Sequence, residues 1–242
     1  PCRVADDPHG PAALAVLEEK PVGMWRLEDE DGAVPRNAVA GGAAASLAAG
    51  FAWYLPGVGA GSGIGAGEAL VPGPFSSAGR INRAVHLAGG ELVLPGPAVR
   101  GDATVVCWTW LGEHSGASQR EGVVCEGLSA TPLVARQDES HGLGFSLGDA
   151  RTAMRWRADD WHQVAIVRRG GSVSIFLDGD PQAALVGPTA ADGAVRLGAG
   201  LQGKIDEVSL FDRALSAVDI ARLWEASGVG QPDATGEVSV NP

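Results

Sequence analysis

The sequence predicts an all-β protein built as a sandwich of two antiparallel sheets, with one short helix near the C-terminus. Three observations predict it. Short apolar runs of three to nine residues recur from residue 81 onward, separated by Gly, Pro and Asp, which punctuate sandwiches rather than α/β folds. WHQVAIVRRGGSVSIFLDG (residues 161–179) reads with period two as two strands around an Arg169-Gly170-Gly171 turn, followed by an Asp178-Gly179 turn. Finally, SAVDIARLWEAS (216–227) is the one convincing helix, with Ser216 as N-cap and Asp219 three residues on.

Taken in order, residues 1–20 read as an N-terminal arm holding a short helix over 12–19, which Pro21 ends. A first strand follows at 22–27. Residues 41–79 are rich in Ala and Gly and form a candidate insertion, in which Phe51, Trp53 and Tyr54 make an isolated aromatic cluster. Strands are expected at 84–87, 91–94, 103–111, 122–126, 133–136, 143–147 and 152–156. The 161–178 pair comes next, then 195–197 and 204–211. In the helix, Val218, Ala221, Leu223 and Trp224 make the apolar side. Residues 228–242 shift to Gly, Pro and Asp and read as a tail or linker.

Composition narrows the function. The 242 residues hold 18 Lys and Arg against 29 Asp and Glu, a formal net charge of −11. Such a surface repels nucleic acid and anionic membranes, so both are discounted as partners. No apolar run approaches the roughly 20 residues that span a bilayer. The chain begins at Pro1 with no signal-peptide pattern and reads as a processed or truncated product. GSGIGAG (61–67) superficially matches a dinucleotide loop, but Pro72 and Pro74 stand where a helix must follow, so nucleotide binding is set aside.

Four segments in order carry a family resemblance: PVGMWRLEDEDG (21–32), INRAVHLAGGELVLPG (81–96), DATVVCWTWLGE (102–113) and the 161–179 hairpin with GKIDEVSLFDRALSAVDIARLWEAS (203–227). Together they resemble the laminin-G-like, concanavalin A-like lectin and glucanase domains. The resemblance covers residues 21–227 and implies a jelly-roll sandwich. It also implies an extracytoplasmic setting: cell surface, periplasmic or secreted. Relatives of this fold hold one Ca²⁺ through an acid near the first strand and an Asp on the last; the resemblance places these at Glu28 and Asp206.

Glycosidases on this fold carry a Glu-x-Asp-x-x-Glu strand, which sets two carboxylates on one face. This chain lacks it, and neither a Ser-His-Asp set nor a Gly-x-Ser-x-Gly elbow is present. His162 follows Trp161 at a strand start, where packing is its expected role. Trp25, Trp108, Trp161 and Trp224 match core positions of the family, and Trp110 shares a strand face with Trp108. Trp53, Tyr54 and Trp156 remain as candidate ligand or partner contacts. Cys107 and Cys125 lie on successive predicted strands; they are either a disulfide, if those strands form a hairpin, or two buried free thiols. Cys2 is then the odd cysteine.

The expected function is a non-catalytic recognition or structural module of a surface or periplasmic assembly, binding protein for preference. The alternative is a calcium-stabilised carbohydrate-binding lectin-like domain, and a glycoside hydrolase stands third.

Overall fold

Two antiparallel sheets of eight strands each pack face to face. The computed structural model describes residues 10–29, 31–48, 50–58, 75, 82–95, 101–112, 120–158, 160–190 and 193–229. Strands β1 (Gly23–Trp25), β3 (Phe51–Pro56), β4 (Arg83–Ala88), β6 (Ala103–Leu111), β12 (His162–Arg169), β13 (Ser172–Leu177), β14 (Asp180–Pro188) and β16 (Gln202–Phe211) form the first sheet. Its order is β14-β13-β12-β6-β16-β4-β3, with β1 also on β16. Strands β2 (Ser46–Leu47), β5 (Leu92–Leu94), β7 (Arg120–Glu126), β8 (Leu133–Gln137), β9 (Gly142–Leu147), β10 (Ala150–Arg151) and β15 (Val195–Leu197) run β10-β9-β8-β7-β15-β5-β2 in the second sheet, and β11 (Trp156–Arg157) pairs with β9.

The inter-sheet core is the period-two pattern made solid. Val164 and Ile166 of β12 and Val173, Ile175 and Leu177 of β13 point into it, with Trp25, Phe145, Val105 and Leu197. The first sheet is also covered on its outer face. There, Val106, Ala165, Val167, Phe176 and Phe211 pack under Ile220 and Leu223 of helix α2 (Ala217–Ser227). This double burial explains why β6 and β12 read as continuous apolar runs rather than alternating ones. By contrast, β8 of the second sheet alternates buried and half-buried residues.

Helix α2 starts with a reciprocal capping box: Ser216 Oγ accepts from Asp219 N, and Asp219 Oδ2 accepts from Ser216 N. It ends on Gly228 in the left-handed conformation. Its buried face is Ile220, Leu223 and Ser227; Val218, expected on the apolar side, is 77% exposed. Helix α1 (Pro11–Glu18) docks beside α2, and Glu19 pairs with Arg213 and Arg222.

Several expectations shift. The 41–79 stretch contains two strands, and its aromatic cluster is the edge strand β3, which bulges at Trp53–Tyr54, where Tyr54 takes φ +74°. The strand expected at 152–156 splits. At Thr152 the backbone N still donates to the Phe145 carbonyl, but the side-chain Oγ1 accepts from Phe145 N, and the strand pairs with β9 are Ala150–Arg151 and Trp156–Arg157. Strand β14 went unanticipated because Pro181, Gly187 and Pro188 disguise it; an edge strand tolerates those residues. Cys107 and Cys125 do not lie on a hairpin: β6 belongs to the first sheet, and β7 pairs with β8 and β15 in the second. Both are free, buried thiols in the inter-sheet core. Cys2, the 61–67 glycine loop and the 230–242 tail lie outside the described residues.

Candidate functional site

A groove opens where the edges of the two sheets meet. The Asp178-Gly179 turn, with φ +51° and +81°, sends the chain from β13 to β14 and forms one wall with Asp180 and Gln182. Trp156 and Arg155 of the second sheet form the other wall, and Leu177 lines the base. The volume is about 210 Å³, smaller than the roughly 300–1,000 Å³ clefts that take drug-sized ligands. It suits one sugar ring or one side chain.

Trp156 is half-buried, with its ring edge-to-face against Phe145 at 5.8 Å. The Arg155 guanidinium lies 5.0 Å from the indole centroid and donates to Gln182 Oε1 at 3.3 Å. An indole flanked by planar donors and acceptors offers an apolar face and fixed hydrogen bonds together. On the groove wall, Asp178 is engaged through both oxygens. Its Oδ1 accepts from Gln163 N at 2.9 Å, and its Oδ2 lies 2.8 Å from His162 Nδ1. His162 Nε2 lies 2.8 Å from the Arg157 carbonyl oxygen. Burial works against charge on His162, but the hydrogen bond to Asp178 and its charge outweigh it and raise the pKa above the ordinary value.

A second polar cluster lies under the outer face of the first sheet. β16 changes neighbour part-way along: β4 pairs with its first half and β1 with its second, and the bulge at Glu207 (φ +46°) sits between. That junction brings Arg26, Glu28, Asn82, Asp206 and Glu207 together. Arg26 binds Glu207 Oε1 and Glu28 Oε1, each at 3.1 Å, and donates to the Phe75 carbonyl at 2.5 Å. Asp206 accepts from Val58 N at 2.9 Å, Asn82 Nδ2 at 2.7 Å and Glu207 N at 2.9 Å. Burial and the Glu207 charge push the Asp206 carboxyl well above its usual range. Burial pushes Glu207 up to about 7 against the pull of Arg26.

A family model for the concanavalin A-like lectin/glucanases superfamily matches residues 90–221, more than half of the chain. The chain belongs to that superfamily. No curated relative matches it in sequence. Among solved structures, a mutant of Trypanosoma rangeli sialidase displaying trans-sialidase activity is 16% identical with a TM-score of 0.57, over 86% of this chain and 33% of that one. The Trypanosoma rangeli sialidase complex with 2,3-difluorosialic acid is 16% identical at 0.54, over 85% and 33%. The binding domain of botulinum neurotoxin serotype D is 12% identical at 0.53, over 89% and 53%. The chain thus spans a third to about half of these structures, and the likeness is one of fold.

Within this concanavalin A-like domain the candidate contact residues fare differently. Trp156 reaches the groove. Trp53 instead packs on the inter-sheet core, and its Nε1 donates to the Gly32 carbonyl at 2.8 Å. Tyr54 is 52% exposed beneath the Arg83 guanidinium, 4.3 Å away, remote in sequence and strand order from the groove. Trp25 and Trp108 are buried as expected. Trp108, however, lies on the outer face, stacked on Trp224 at 5.4 Å. Trp110 is half-buried, and Lys204 sits over both Trp110 (4.3 Å) and Trp161 (4.9 Å).

Glu28 and Asp206 do share one cluster, in which Arg26 is a cationic partner. Ca²⁺ asks for six to eight oxygens. Here the Arg26 guanidinium takes Oε1 of both Glu28 and Glu207, and three N–H donors reach Asp206. Among the described residues no three His, Cys, Asp or Glu side chains converge on one point. Sequence reading did not name Arg155, Asp178, Asp180 or Gln182 as contact residues. Only the Asp178-Gly179 turn was visible, and its spacing gave no reason to place it beside Trp156.

Proposed function

We propose that this chain is a non-catalytic recognition module that acts outside the cytoplasm and takes one ring of a glycan in the Trp156 groove. The observation that carries the reading is the meeting of the indole with Arg155, Asp180 and Gln182 in a groove of about 210 Å³. Membership of a superfamily named for lectins and glucanases agrees with it. A non-catalytic role is favoured because Asp178, one of the two groove carboxylates, is already held by His162 and Gln163, whereas glycosidic cleavage needs two available carboxyl groups. The extracytoplasmic setting rests on the family resemblance, and fractionation of the native host tests it.

The test is a glycan array followed by titration calorimetry. Trp156→Ala is expected to weaken binding about thirtyfold or more, the scale of a buried aromatic anchor. Asp180→Ala alters an exposed groove residue outside the core, so it separates loss of binding from loss of fold. An array with no hits, or hits untouched by both variants, overturns the glycan reading.

A protein partner is the second reading, favoured by one feature. β14 is an edge strand of the first sheet and carries Val186, 54% exposed. An open edge with an apolar side chain is a template for strand addition. The native mass of protein purified gently from its host separates the two: a mass several times 24.6 kDa supports an assembly.

We further propose that Arg26, rather than a metal, is the cation of the Asp206–Glu207 cluster. The melting temperature is then the same with calcium and with a chelator. A calcium-dependent rise overturns this.

A further inference from the structure

His162 joins the two walls of the groove. It stands at the start of β12 in the first sheet, yet its Nε2 reaches the carbonyl of Arg157 on β11 in the second. Its Nδ1 faces Asp178 Oδ2, at the head of the opposite wall. Both partners are acceptors: a backbone carbonyl has no proton to give, and an ionised carboxylate has none. A neutral imidazole carries one N–H and can satisfy one of them; only the imidazolium satisfies both. The residue is 7% exposed, so water does not readily replace a lost partner.

We infer that His162 is a positioning residue that holds the groove at its binding width: its imidazolium ties Asp178 to the Trp156–Arg157 strand, and loss of one proton releases one wall. The inference rests on the groove being the binding site. The step is a proton equilibrium with solvent and needs no other reactant. Neutral His162 keeps one N–H. If that proton stays with Asp178, the Arg157 carbonyl keeps the longer bond from Asp160 N, at 3.4 Å, but loses its tie to the first sheet, and β11, only two residues long, is freed to move.

Other charged groups face the imidazole. Asp160 precedes it and favours its charge; the Arg157 guanidinium reaches Asp160 at 3.9 Å. Arg155 and Asp180 lie across the groove. On the neighbouring β6 the register partner is Thr109, which does not titrate. Lys204, whose amine burial lowers to about 8, covers Trp161 next door. Its titration therefore reports on Trp161 and Trp110, not on Trp156.

The test needs no ligand at first. The His162 ring and the Trp156 indole ¹⁵N–¹H resonance are followed in the whole chain across neutral pH, with Trp156→Phe for assignment. The expected result is one shared midpoint above about 6.5, the ordinary histidine value. In His162→Gln the Trp156 resonance then loses its response in that window. A Trp156 resonance that ignores the wild-type His162 midpoint overturns the inference, even if the variant fails to fold. A response that persists unchanged in His162→Gln overturns it as well.

A second arm measures affinity for a panel of neutral and uronic-acid-containing oligosaccharides on either side of the midpoint. Affinity is expected to fall about tenfold on the alkaline side, the factor that one pKa unit of coupling transmits. Binding that is independent of pH overturns the clamp and leaves the glycan reading intact. If no oligosaccharide binds, the glycan reading fails, and the resonance titration alone decides the clamp.

Discussion

At the scale of single residues, polar side chains set the positions of others through fixed acceptor counts. Asp206 and Glu207 are adjacent in sequence, and the left-handed φ of Glu207 turns them into one cluster without a sheet position between them. Arg26 is the cluster's internal cation. Arg26→Ala leaves the buried Glu207 carboxyl without its cation and is expected to cost about 3–5 kcal/mol, read from urea unfolding. Nothing in MWRLEDE says that Arg26 faces Glu207, because the contact spans 181 residues of chain. Trp156 was legible as a candidate because it matched no core position of the family, while Trp53 misled: aromatic residues in an Ala- and Gly-rich stretch look unexplained until β3 gives them a core to pack on.

At the scale of elements, local chemistry and tertiary context divide cleanly. The capping box of α2 is written in Ser216 and Asp219, and Ser216→Ala is expected to destabilise the protein by about 1 kcal/mol in thermal or urea unfolding. The buried face of the same helix is less legible, since Ile220 and Leu223 are chosen by the outer face of the first sheet and Val218 is left out. The Asp178-Gly179 turn is similar. The sequence marks it, but only the structure sets Gly179 against Trp224, whose Cβ lies 3.0 Å from where a Gly179 side chain would begin. Gly179→Ala therefore meets strained φ and a packed indole together. It is expected to lower stability by at least about 1 kcal/mol, measured by the melting temperature. The hairpin β12–β13 needed no such help, because period-two alternation and the glycine turn are local properties.

At the scale of the whole molecule, burial of ionisable groups gives stability a pH dependence of definite sign. Glu207 is raised from its ordinary 4.5 to about 7, so the folded state holds a proton that the unfolded chain releases. Its favourable contribution is full below about 4.5 and is lost as pH rises through about 7. His162, also raised, adds a contribution of the same sign that fades above its ordinary 6.5. The melting temperature is thus expected to fall between about pH 5 and about pH 8, and Glu207→Gln to flatten that slope. A rise over this interval, followed by scanning calorimetry, contradicts the assignment.

The sequence by itself determined the class of fold, most strands, and the C-terminal helix and its cap. All of these follow from periodicity and turn residues, which are set over short stretches of chain. Tertiary structure alone decided which strands are neighbours, and everything at the site follows from that. It put Cys107 and Cys125 in opposite sheets, found an edge strand hidden by its prolines, and brought Asp178 and Asp180 of one sheet beside Trp156 of the other. The reason is physical. A strand's pattern records which of its faces is buried, but not which strand lies across the core or across the open edge.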